Sequence, residues 1–133
     1  MRVVIDTNVL MSAVFFGGIP GRILRAWRSG HIDLVISPEI ADEYVQVGER
    51  LKRRYPGVDV RALMELIIQN AKIVPSSLLP ESICEDPEDD KFLACALEAK
   101  AKVVVSGDKK LLAVSPYQGI AVVTPRQFVD RWL

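Results

Sequence analysis

The chain has 133 residues, half of them apolar, with 17 Lys and Arg against 17 Asp and Glu. That length allows one substantial core and not two. The balanced charge excludes recognition of a polyanion by bulk positive charge, so any nucleic-acid role must rest on local patches and bound cations.

Val3-Val4-Ile5 is a short apolar run ending at Asp6-Thr7-Asn8, residue types that cap helices. An acid so early argues against a signal peptide, and no apolar run nears the ~20 residues of a membrane span; the sequence reads as cytoplasmic. Residues 9–16 follow as a buried helix stopped by Gly17-Gly18. Residues 20–29 form a second helix, with Ile23, Leu24 and Trp27 on one face and Arg22, Arg25 and Arg28 on another. Leu34-Val35-Ile36 is a second buried strand, running into Ser37 as N-cap and Pro38 at the first helical position.

The helix from Pro38 carries the stripe Ile40, Tyr44, Val47 and Leu51 and ends in Lys52-Arg53-Arg54. Residues 60–71 are a further amphipathic helix, 72–75 a short strand and 76–85 a loop. Asp86-Pro87-Glu88-Asp89 opens a helix running through Lys100. Val103-Val104-Val105 is a strand ending at Ser106-Gly107-Asp108, and residues 120–123 are the last strand. Thr124 caps a closing helix with Gln127 as its capping-box partner. Cys84 and Cys95 have no CxxC spacing and no histidine partner, which argues against zinc or a structural disulfide.

Short apolar strands alternating with helices predict one α/β domain over residues 1–133, a parallel sheet covered on both faces. Such sheets bind ligands at the carboxyl ends of their strands. Asp6 and Asp108 both fall there, although either alone is explained as a turn or cap residue. Glu43 flanks the apolar stripe of its helix, whereas Asp42 and Glu49 fall on the solvated face; Glu39, one turn earlier, is a weaker candidate. A carboxylate beside a buried stripe needs a partner. Asp86 is explained as an N-cap, but four acids within residues 86–90 repel one another, and a cation would relieve that repulsion.

Carboxylates converging from several elements suit a hard divalent ion such as magnesium. His31 is the only histidine and no GxxxxGK[ST] loop is present, so a histidine-pair mechanism and a P-loop are excluded.

Residues 3–10 (VVIDTNVL) resemble the opening of a PIN domain. Glu43 within SPEIADE resembles that family's second acid, and DPEDDKFL (86–93) and VSGD (105–108) resemble its third and fourth motifs. The likeness spans essentially the whole chain and is nearest to toxin components of bacterial and archaeal toxin–antitoxin systems, relatives of VapC-like ribonucleases. It implies a Mg2+- or Mn2+-dependent ribonuclease in which Asp6, Glu43, Asp89 and Asp108 hold the metal, Asn8 helps to orient the site and Ser106 lies beside it. Asp90 is the alternative to Asp89. It also implies an antitoxin partner and a homodimer.

For RNA, Lys109 directly follows Asp108, and Arg22 and Arg25 form with Arg28 a basic stripe; Lys52, Arg53, Arg54 and Lys110 are further candidates for phosphate contacts. Two rival classes are a receiver-like magnesium-binding regulatory domain and a catalytically silent PIN-fold binding module. Ser37 and Pro75, where a receiver needs a phosphoacceptor acid, argue against the first. A DxD phosphatase would need an acid at position 8, which holds Asn8.

Overall fold

The computed structural model describes all residues from Met1 to Leu133. β1 (Arg2–Ile5), β2 (Asp33–Ile36), β3 (Lys72–Ile73), β4 (Val103–Val105) and β5 (Ala121–Val123) form one sheet. Every pairing is parallel, and the strand order is β3-β2-β1-β4-β5. Successive residues of β1, β2 and β4 point to opposite faces, yet Val3, Val4, Ile5, Leu34, Val35, Ile36 and Val103 to Val105 are all buried. Both faces are therefore covered, as the unbroken apolar runs predicted.

The chain steps outward from β1 to β2 and β3, then returns to β4 beside β1 and continues to β5. The direction of travel reverses between β1 and β4, and the carboxyl ends of these strands flank the crevice where such sheets bind ligands. A receiver-like domain has the order 2-1-3-4-5 and is excluded by this one.

α1 (Thr7–Phe16) and α2 (Gly18–Arg28) are separated only by Gly17, whose φ of 73° turns the chain by 96° between them. The predicted break at Gly17-Gly18 is thus a bend: the second helix resumes at Gly18, two residues before the expected start. α3 (Pro38–Lys52) is capped by Ser37, with Pro38 opening it as expected. It buries Ile40, Tyr44 and Gly48. A Cβ on Gly48 would stand 2.9 Å from Val60 Cγ1, so this glycine lets α3 approach the start of α4 (Val60–Asn70).

The Tyr44 hydroxyl, fully buried, donates to the Ile5 carbonyl and pins α3 to the end of β1. Burial, followed by the charge of Asp6, holds this phenol well above its ordinary pKa, so it stays a donor. Tyr44→Phe should cost about 1–2 kcal/mol by removing that donor from a buried carbonyl. An unchanged denaturation midpoint would show that the bond contributes nothing.

The segment that reads as one helix over 86–100 is two elements. A 3-10 turn covers Pro87–Asp89, capped by Asp86, and α5 (Asp90–Ala99) begins after it. α5 lies against β1, β2 and β4 and buries Phe92, Leu93, Ala94, Cys95 and Ala96. α6 (Lys109–Leu112) has no signature in the sequence; at four residues it is too short to show a period. α7 (Pro125–Trp132) closes the chain with the capping box between Thr124 and Gln127. Trp27 is buried in the core and Trp132 packs on Phe128 at 5.2 Å between ring centroids, both in packing roles as expected. No single helix is long and apolar enough to cross a membrane.

Candidate active site

Asp6 is the first residue beyond β1 and the N-cap of α1. Its amide donates to the Val105 carbonyl at 2.9 Å, which ties it to the end of β4. Its Oδ1 accepts from the Asn8 amide at 3.1 Å and its Oδ2 from the Ser106 hydroxyl at 2.5 Å. Ser106 Oγ accepts in turn from the Asp108 amide at 3.0 Å. A fully buried serine thus joins the acid after β1 to the acid after β4.

Asp108 caps α6 by accepting from the Lys110 amide at 2.9 Å. Asp6 and Asp108 are therefore helix caps, and capping is what fixes both carboxylates at the chain reversal. Asn8 takes part through its backbone; its side chain is exposed.

Glu43 reaches the same place from α3. Its Oε2 accepts from the Thr7 hydroxyl, on the residue after Asp6, and its Oε1 lies 2.9 Å from the Lys91 ammonium. The apolar-edge carboxylate that needed a partner has two, neither of them evident from the sequence. Asp42 and Glu49 are exposed, as their helical positions predicted.

Asp89 and Asp90 have opposite environments. Asp90 Oδ1 accepts from the Cys84 amide at 2.8 Å and the Ile83 amide at 3.3 Å, and Oδ2 from the Ser82 hydroxyl at 2.7 Å. Burial alone would raise its pKa, but these bonds outweigh it and hold the carboxyl below its ordinary value. Asp89 Oδ2 is buried with no hydrogen-bond partner. Burial, then the charges of Asp108, Asp6 and Asp86, push the Asp89 carboxyl up to about 6, against a smaller opposing effect of Lys91.

Asp6 is raised too, first by burial and then by Glu43 and Asp108, although its bonds from Ser106 and Asn8 oppose the shift. Asp6, Asp89 and Asp108 thus lie near enough to perturb one another, and Glu43 acts on Asp6. They do not form a closed cage: no group of three or more carboxylate, thiol or imidazole side chains is gathered tightly enough to hold an ion. Cys84 and Cys95 are buried and unpaired, and burial pushes each thiol up to about 12, so neither supplies a thiolate.

Beside the cluster opens a cleft of about 550 Å³ whose lining includes Glu39, Asp42, Glu43, Glu81, Glu88 and Asp90, with Lys91 the one cation. Lys109 and Lys110 are exposed directly after Asp108, and Lys110 Nζ lies 3.5 Å from Glu85. Arg22 and Arg25 line a separate depression with His31 and Leu133 that shares no residue with the acidic cleft. Arg28 lines a third, with Trp27 and Asp33. Lys52, Arg53 and Arg54 lie at the far end of α3, roughly 20 Å along the axis from its start. Asp6, Asp89 and Asp108 face the same reversal, with Glu43 linked to it through Thr7; of the predicted basic residues, only those after Asp108 adjoin them.

The fold agrees with what the chain is similar to. The family model described as "PIN domain" matches residues 2–110. An uncharacterized protein of Methanocaldococcus jannaschii is 32% identical, covering 99% of this chain and 92% of its own length. Among solved structures, VapBC2 from Rickettsia felis, bound to a DNA fragment from their promoter, superposes with a TM-score of 0.64 at 12% identity. That match covers 93% of this chain and 98% of the other. PAE2754 from Pyrobaculum aerophilum superposes at 0.60 with 14% identity, over 98% and 88% of the respective chains. At such identities the two structures speak for the fold alone, while the family model spans every acid at the chain reversal, and on that ground the chain belongs to the PIN-domain family.

Proposed function

We propose that this PIN domain is a Mg2+- or Mn2+-dependent endoribonuclease, the toxin of a toxin–antitoxin pair. The observation that carries the metal reading is Asp89 Oδ2, buried without a donor beside two further acids at the carboxyl ends of the central strands. A buried carboxylate oxygen with no partner is costly, and a divalent ion is a partner that Asp6, Asp89 and Asp108 can share. Magnesium retains several waters and is commonly held through one or two carboxylates and substrate phosphates, so a loose set of acids suits it. When bound, such an ion supplies an activated water and stabilises charge on the scissile phosphate.

The chain's own residues have distinct tasks in this reading. Asp6, Asp89 and Asp108 hold the ion, with Ser106 fixing the spacing between the first and the last. Glu43 stands beside them between Thr7 and Lys91. Asp90 is a loop staple and not a ligand, because its oxygens already accept from Ser82, Ile83 and Cys84. Asn8 orients Asp6 through its amide.

RNA is the proposed substrate, approaching over Lys109, since the cleft on the other side of Glu43 is lined with acids that repel phosphate. Arg22 and Arg25 would touch only a longer RNA. VapBC2 of Rickettsia felis is bound to a DNA fragment from their promoter; by analogy we assign this chain an antitoxin partner, while a homodimeric state and a cytoplasmic setting are carried over from the family resemblance alone.

The reading is tested with purified protein and single-stranded RNA. Cleavage should vanish with a chelator and return with Mg2+ or Mn2+. No cleavage with either ion across a panel of RNAs would sink it in favour of a silent PIN-fold binding module. Lys109→Ala should weaken RNA binding and reduce the slope of log affinity against log salt by about 1 or less, because one phosphate contact releases about one counterion. A slope identical to that of the parent would remove Lys109 from the interface.

A further inference from the structure

Lys91 is the one cation lining the acidic cleft, and it carries the charge sign of the expected ion. It is nearly buried, with a side-chain exposure of 12%. Its ammonium lies 2.9 Å from Glu43 Oε1, donates to the Glu88 carbonyl at 2.5 Å and stands 3.8 Å from the Glu88 carboxylate. Of the three protons an ammonium can donate, two have acceptors in reach, and the Glu88 carboxylate is an ion pair beyond hydrogen-bond distance. Lys91 is committed to Glu43 and to the Glu88 carbonyl. Glu43 is equally engaged, its other oxygen being taken by Thr7.

The two halves of the acid set therefore differ. Asp89 keeps an oxygen without a partner. Glu43 has both oxygens occupied and its charge matched by a neighbouring cation. A second divalent ion beside Glu43 would have to displace a nearly buried ammonium, or lie against it at like charge in a poorly solvated place, which is strongly unfavourable.

We propose that Lys91 is a positioning residue that takes the place of a second metal ion: it neutralises and orients Glu43, and it limits the centre to one divalent ion, held on the side of Asp6, Asp89 and Asp108. The inference rests on the metal-centre reading above and extends it to stoichiometry.

Mn2+ binding to the metal-free protein, read by calorimetry and by loss of the free-ion electron paramagnetic resonance signal, tests it without any assay of cleavage. The parent chain should bind one Mn2+. Lys91→Met keeps the stem and removes the charge, leaving Glu43 unmatched, and should raise the stoichiometry from one towards two. Lys91→Arg should restore one.

Two ions in the parent chain, both lost in Asp6→Asn, would overturn the proposal with no need for the Lys91 variants to fold. A folded Lys91→Met that still binds one ion at unchanged affinity would overturn it equally. Failure of the underlying reading looks different: Asp6→Asn would then bind Mn2+ as the parent does.

Discussion

Asp6→Asn is expected to reduce divalent-dependent RNA cleavage by at least about 100-fold, the upper end of what losing an outer-shell partner of a metal costs, while the protein stays folded. The fold should survive because the substitution is nearly isosteric and Asn caps a helix as well as Asp. Asn Oδ1 can still accept from the Asn8 amide, and its NH2 can donate to Ser106 Oγ, which now donates to the carboxylate. The hydrogen bond from the residue 6 amide to the Val105 carbonyl involves only backbone. Stability should hold or rise, since burial and two nearby acids already disfavour the ionised form of Asp6. Circular dichroism, thermal melting and cleavage by rigorously purified protein decide the matter. Equal cleavage by variant and parent would remove Asp6 from the chemistry.

The adjacent acids at the start of α5 should respond in opposite directions. Asp90→Ala removes acceptors from the Ser82 hydroxyl and from the Ile83 and Cys84 amides and frees the loop before the 3-10 turn. A loss of about 2–4 kcal/mol is expected, since bonds to a charged acceptor are worth more than neutral ones and the Cys84 amide is left partly buried. That corresponds to roughly 10 °C in melting temperature for a domain of this size. Asp89→Asn should leave the metal-free protein as stable as the parent or more so at neutral pH, and should abolish any rise in melting temperature on adding Mn2+.

Their pH dependence in the metal-free protein follows the same division. The folded pKa of Asp90 lies below its ordinary 3.8, so its contribution is present above that value and lost as pH falls through the folded one. The folded pKa of Asp89 lies above 3.8, at about 6, so the folded protein holds this proton more tightly than the unfolded chain. The penalty for its ionisation is absent below 3.8 and grows as pH rises to about 6. Melting curves of the two variants against the parent between pH 4 and 7 separate the effects. If Asp90→Ala is harmless and Asp89→Asn destabilising, the two assignments are reversed.

Asp6 and Asp108 were legible in the sequence because an acid at the end of an apolar run needs only the rule that parallel sheets present their ligands there. Glu43 was legible through helical spacing, which α3 obeys from Ile40 to Gly48. Asp89 and Asp90 could not be told apart, because that distinction requires knowing where one helix geometry gives way to another. The residues that read as a continuous helix from 86 are a 3-10 turn up to Asp89, so helical spacing misplaces the side chains around the junction.

Lys91 and Thr7 fall within the acidic motifs, yet nothing in the sequence gives either a task. Their partner, Glu43, lies 48 and 36 residues away in sequence, and nothing local announces it. The one available hint was a single lysine in α5, a helix otherwise buried over Phe92 to Ala96. Strand order was beyond reach for a related reason: periodicity says that strands exist, and only the packing of α5 over β1, β2 and β4 decides that the chain doubles back.

The amide of Asp6 is bonded across the two innermost strands, whereas Asp89 sits on a three-residue turn behind a largely exposed loop. The elements that carry these two acids should therefore differ in exchange kinetics. Amide hydrogens around Asp6 exchange with solvent only when the sheet itself opens, and those of residues 82 to 89 exchange through small local openings. One wall of the centre is as durable as the molecule, and the other is a door whose resting frequency a bound ion would slow.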